Sequence, residues 1–176
     1  MWKLPPIEVW VPNPPYRRWV AYRFWYPRLA DRAFTGTFPL ACRTPWRDRE
    51  MRATCLQQAI RAIAGRSLPA ERLHDPELAP VAACRCGIHD YRTPPDIPPW
   101  PTLVAGLITI SGRVMLEGYS LRAEHARVEA LCIPGAMDEE HRGLVEETAA
   151  RWGVPLVQQQ ALPEIARELG DEPPAA

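Results

Sequence analysis

At 176 residues the chain is sized for one domain with its own core, and its 21 basic and 21 acidic side chains cancel, so no global charge draws it to nucleic acid or to an anionic membrane. Five cysteines are an odd number for a disulfide framework, and in a reducing compartment they read as thiols or metal ligands. Met1-Trp2-Lys3-Leu4-Pro5-Pro6 lacks the charged start and apolar core of a signal peptide, and no apolar run approaches the length of a membrane span, so the expectation is a cytoplasmic protein without membrane contact.

Charge is nevertheless uneven: residues 1–52 carry ten basic and four acidic side chains, residues 138–176 three and nine. All the basic residues except Lys3 are arginine. Prolines at 5, 6, 12, 14 and 15 predict an extended arm over residues 1–15, because proline fixes φ and donates no hydrogen bond. Tyr16 to Tyr26 alternates with period two and predicts a strand. Eight of the fifteen aromatics fall within the first 26 residues, so this end is expected to pack down. Within it Arg17, Arg18 and Arg23 interleave with Trp19 and Trp25, a pattern that could neutralise phosphates and stack bases, or equally form an amphipathic strand whose arginines face water.

Thr35–Leu40 predicts a short strand. From Asp48, which can cap, the apolar positions Leu56, Ala59, Ile60 and Ile63 predict a helix ending at Gly65. Residues 66–83 read as loop, and the proline-rich 93–101 as a stiff extended link. Val104 to Ile110 is almost wholly apolar and predicts a strand buried on both faces. After a turn at Gly118-Tyr119-Ser120 the chain alternates again, Glu124, Ala126, Val128, Ala130 and Cys132 forming the more apolar face, which predicts an antiparallel hairpin with that face on the core. A helix is expected from Asp138 to Trp152, capped by Asp138 and ended by Gly153, with Met137, His141, Leu144, Val145, Thr148, Ala149 and Trp152 in one stripe. A short strand at Val154–Gln158, a closing helix at Pro163–Leu169 and a frayed tail at 171–176 complete the prediction: residues 16–170 form one α+β domain with two to three helices packed on an antiparallel sheet.

Cys84-Arg85-Cys86-Gly87-Ile88-His89 is the one cluster of metal-ligand residue types. Two thiolates one residue apart can supply half of a zinc tetrahedron if the chain turns at Gly87, with Cys55, His74, His89 or Cys132 completing it; buried cysteines that merely pack are the bland alternative. A thiol nucleophile, Cys86 paired with His89 or His125, is a second chemical reading. Arg122 and Glu124 share a strand face by period two and could fix the carboxylate of a ligand or pair with neighbouring strands.

The chain resembles a group of small, uncharacterised, mainly actinobacterial proteins. These carry Cys-x-Cys-Gly-Ile-(Tyr/His)-Ala, then a hydrophobic strand with a Gly-x-Val step, then Gly-Tyr-Arg-Ala-Glu, and close with Tyr-Gly-Val-Pro. The matching positions are Cys84–His89, Leu107–Val114, Gly118–Glu124 and Trp152-Gly153-Val154-Pro155, with Trp46 and Cys55 upstream. Asp90 replaces the usual alanine, and two residues separate Tyr119 from Arg122 where the group has none. The resemblance implies the fold and the Cys-x-Cys site and carries no activity. The function expected from all of this is a non-enzymatic binding or adaptor module, zinc-stabilised at the Cys-x-Cys segment and acting on a protein partner or nucleoprotein assembly. The alternatives are a metal- or thiol-dependent enzyme and a nucleic-acid binder.

Overall fold

The computed structural model describes residues 6–11, 18–36, 45–55, 75, 78–82, 84, 86–93 and 103–173. Among them an antiparallel sheet dominates: β1 (Ile7–Val11), β2 (Trp19–Arg28), β3 (Ala33–Gly36), β4 (Pro45–Trp46), β5 (Glu50–Arg52), β6 (Ile88–Tyr91), β7 (Val104–Glu117), β8 (Ser120–Cys132) and β9 (Leu156–Val157). Two helices accompany it, α1 (Glu139–Trp152) and α2 (Leu162–Leu169). The arrangement is α+β with little helix. No helix among the described residues is long and apolar enough to cross a membrane.

The predicted hairpin is the spine. β7 and β8 pair from Glu117↔Ser120 to Ala105↔Cys132 around Gly118-Tyr119, and Gly118, at φ +60°, takes the left-handed position that a two-residue turn needs. On its other edge β7 pairs with β2 at residues 104–110 and with β1 at residues 112–116. β8 in turn carries β6, β5 and, in parallel, β9. Because β6 also meets β2 at Tyr22↔Tyr91, the sheet curls back on itself.

The curl separates two cores. The larger holds Ala21, Trp25, Trp46, Ile108, Val128 and the α1 residues Leu144, Val145 and Trp152, together with Cys55, Cys84 and Cys86. The smaller lies on the opposite side of β2 and β7, where Val20, Tyr22, Phe24 and Leu107 meet Leu162 and Ala166 of α2. Alternation along β2 therefore feeds both, which is why every residue from Val20 to Trp25 is buried. α1 behaves as its sequence predicts. Asp138 accepts from the His141 amide at 3.0 Å, Gly153 at φ +63° ends the helix, and Leu144, Val145, Thr148, Ala149 and Trp152 are buried.

Elsewhere tertiary pairing redraws the local pattern. The proline-flanked Ile7–Val11 is a strand of the sheet, because the arm's proline-free residues keep the amides a ladder requires. Asp48 does not start a helix: Glu50–Arg52 pairs with His125–Arg127 as β5, with Arg52 facing Glu124 at 3.6 Å and Glu50 facing Arg127 at 3.7 Å. The rest of that predicted helix, 56–65, lies outside the described residues, as do positions 37–40 of the predicted strand. Asp171 does not fray, since its amide donates to the Arg18 carbonyl and its carbonyl accepts from the Val20 amide, both at 2.9 Å.

The hairpin also carries two irregularities, between Leu107 and Ile108 and between Ser111 and Val114. At the first, Glu129 is the extra residue, and it switches β8 from one core to the other. Ala126 and Val128 face the larger core while Ala130 and Cys132 face the smaller, so the apolar face expected to be continuous is split. At the second, Gly112 stands at φ +79°, and the Arg113 amide freed by the bulge donates to Glu124 Oε2 at 3.1 Å.

Candidate metal centre

Three cysteines expected from the sequence come together. The Sγ atoms of Cys55, Cys84 and Cys86 lie within 4.8 Å of one another, and the residues are 3%, 3% and 0% exposed. Cys55 follows β5, which fixes it against β8; Cys84 and Cys86 sit in the loop that enters β6. Gly87 turns that loop at φ +120°, a conformation closed to other residues, and a Cβ there would stand 2.9 Å from the Pro80 Cβ and 3.0 Å from the Arg122 Cβ. The turn predicted at Gly87 is therefore obligatory.

Three thiols this close could hold a metal ion. With Zn–S bonds of about 2.3 Å, a tetrahedron has sulfur–sulfur edges of about 3.8 Å, and Cys55 Sγ lies 3.7 Å from Cys84 Sγ. Among the described residues no further His, Cys, Asp or Glu joins the group. His89 does not, because the β6 pleat buries Ile88 and Asp90 and turns His89 to the other face. Cys132 belongs to the smaller core. His74 lies outside the described residues.

The same burial works against the nucleophile reading. Burial first, and then the neighbouring Cys84, push the Cys86 thiol pKa up, whereas a nucleophilic cysteine needs it lowered. His125 pairs instead with Glu124 at 3.3 Å.

Arg122 and Glu124, read as possible ligand contacts, are occupied by the protein itself. Arg122 is 2% exposed. Its Nη1 donates to the carbonyls of Val81 (3.2 Å) and Cys86 (3.0 Å) and to that of Cys84. Its Nε and Nη2 meet Glu117 Oε1 at 2.8 and 2.5 Å. Glu124, besides accepting from the Arg113 amide, faces Arg52. An arginine flanked by Leu121 and Ala123 on a strand expected to be half-buried was the available signal for this role, and period-two reasoning alone did not use it.

The described part of the proposed nucleic-acid run is divided between surface and interior. Arg17 lies outside the described residues, Arg18 is exposed, and Trp19 packs against the larger core. Arg23 and Trp25 are 4% and 0% exposed and can reach neither phosphate nor base. Arg23 instead pairs with Asp90 at 2.8 Å and lies over the Trp46 ring at 5.0 Å and the Trp25 ring at 5.8 Å. The pair is incompletely satisfied, Asp90 Oδ2 and Arg23 Nε having no hydrogen-bond partner. Burial accordingly raises the Asp90 carboxyl to about 7 against the opposing pull of Arg23. Sequence pattern missed this pair because β2 and β6 are far apart in the chain.

No protein-family model, curated protein or solved structure matches the chain.

Proposed function

We propose that this chain is a non-enzymatic binding module whose Cys55, Cys84 and Cys86 hold one zinc ion. The observation that carries this reading is the convergence of three buried sulfurs from two separate segments. Buried polarizable thiols can pack as small apolar groups, but three within 4.8 Å of one another, one pair at 3.7 Å, supply the donor type that zinc selects. The ion ties the 84–86 loop to the end of β5, and through it to β8, stiffening the platform rather than reacting on it. Zinc would supply cross-linking there and no chemistry.

The surface supports a protein partner. Trp10 is 68% and Tyr119 86% exposed, two large aromatics of the kind that anchor interfaces. Trp10 stands on β1, the edge strand beside β7, and Tyr119 on the β7–β8 turn.

Native mass spectrometry of the protein isolated from its own cells tests the reading. The expected mass exceeds that of the polypeptide by one zinc ion, lost on chelation, with a co-purifying protein in a second species. A metal-free mass from cells grown with ample zinc removes the metal. Unchanged partner capture after Trp10→Ala and Tyr119→Ala removes the surface.

A further inference from the structure

Arg122 is the only described side chain whose one nitrogen gathers three carbonyls of the loop that carries two of the sulfurs. We infer that Arg122 is the positioning residue of this centre, holding Val81, Cys84 and Cys86 in their ligating arrangement before an ion arrives, so that a thiophilic divalent ion fills a cage already formed. The inference rests on the metal reading above.

Each part of the arrangement restrains the loop. The Cys84 amide closes a turn on the Val81 carbonyl at 3.1 Å, and Arg122 Nη1 collects that carbonyl together with those of Cys84 and Cys86. A planar guanidinium can do this only if its other edge is fixed, and Glu117 Oε1 fixes it through Nε and Nη2. Gly87 then passes within van der Waals reach of the Arg122 Cβ, so the backbone after Cys86 cannot shift sideways without striking the strand. The restraint is reciprocal: a loop that moved away would leave a 2%-exposed cation with only Glu117, which is costly for a buried charge. Metal-free protein therefore keeps the loop in place, unlike small zinc domains that fold only around their ion. Arg122 binds no metal itself; it acts through the backbone that presents Cys84 and Cys86.

The test titrates chelated protein with Co²⁺, whose thiolate charge-transfer and ligand-field bands report sulfur ligation, and with Zn²⁺ in competition. Chelated wild type keeps its strand circular dichroism and binds one ion. Arg122→Lys, which retains charge but not the fork, keeps the strand signal and weakens Zn²⁺ binding roughly 10- to 100-fold, as expected for a partner acting through the ligands. Its cobalt bands shift because the sulfurs no longer hold one geometry. Glu117→Gln, at a side chain 35% exposed, loosens the fork without removing it and serves where Arg122→Lys fails to fold; a loss of roughly tenfold is expected. Unaltered affinity and spectrum in folded variants overturn the positioning role while leaving the metal reading intact. Loss of strand signal on chelating the wild type overturns preformation. Failure of wild type to take up either ion defeats the metal reading instead, and the role of Arg122 with it.

Discussion

Cys55 Sγ and Cys84 Sγ lie 3.7 Å apart although 29 positions separate them in the chain. Such proximity is a tertiary product: β5 delivers one sulfur along β8, and the Arg122-held loop delivers the other. Cysteines of the same chain should thus differ in kind. Cys86→Ser is expected to weaken zinc binding by more than about a hundredfold, beyond the loss of an outer partner, whereas Cys132→Ala leaves zinc content at its wild-type value. Metal analysis of the purified variants checks this, and equal losses in both would argue against a centre confined to the first three sulfurs.

The Arg23–Asp90 pair predicts an unusual pH profile. Asp90 titrates near 3.8 when unfolded and at about 7 when folded, so between these values the folded state holds a proton that the unfolded state has released. Folding stability contributed by this group is therefore greatest at low pH, falls as pH rises from about 4 to about 7, and is level above that. The full difference would be on the order of 4 kcal/mol. Urea denaturation of wild type and Asp90→Asn across this range gives the comparison, the variant lacking the decline. A wild-type curve that rises more steeply than the variant's would contradict the assignment.

The Gly112 bulge should tolerate no side chain. At φ +79°, a Cβ would stand 2.8 Å from Glu124 Oε2 and 2.9 Å from the His125 ring, so Gly112→Ala combines backbone strain with displacement of the carboxylate. A loss of about 2 kcal/mol or more is expected. Glu124→Ala, which leaves the Arg113 amide without its acceptor, should lose about 1–3 kcal/mol. The double variant should lose less than the sum, because both changes act on one contact; strict additivity in thermal or urea unfolding would separate them.

Docking of α1 hinges on Trp152, whose ring meets Phe34 edge-on at 5.4 Å and whose Nε1 donates to the Arg47 carbonyl at 3.1 Å. Trp152→Ala should cost about 3–5 kcal/mol, and Trp152→Phe distinctly less because the ring contact survives while the hydrogen bond is lost. Equal destabilisation by the two variants would mean that the indole N–H, not the packed ring, seats the helix.

Local signals proved legible where one segment determines its own state. Asp138 and Gly153 mark the ends of α1, and Gly118-Tyr119 marks the β7–β8 turn, because caps and turns are set by neighbouring residues. Residue type alone marks Cys55, Cys84 and Cys86 as possible partners. What local reading could not supply was orientation. Glu50–Arg52 became a strand through charges on β8, Arg23 turned inward because β6 presents Asp90, and His89 turned away from the sulfurs because alternation from Ile88 dictates it. Arg122 reads as a ligand contact or a cross-strand partner, since period two reports its face and not the three carbonyls it gathers.

Glu129 illustrates a further consequence of the fold. Thr109 Oγ1 donates to its Oε1 and Arg49 Nη2 to its Oε2, both at 2.8 Å, locking the extra residue through which β8 changes sides. Deleting that single position would leave Val128 and Ala130 adjacent, still opposite Ile108 and Leu107 and still facing opposite cores, so the side chains that follow keep their sides. In this strand, then, the bulge can absorb the loss of one codon, and what that loss removes is the clasp that Glu129 makes with Thr109 and Arg49.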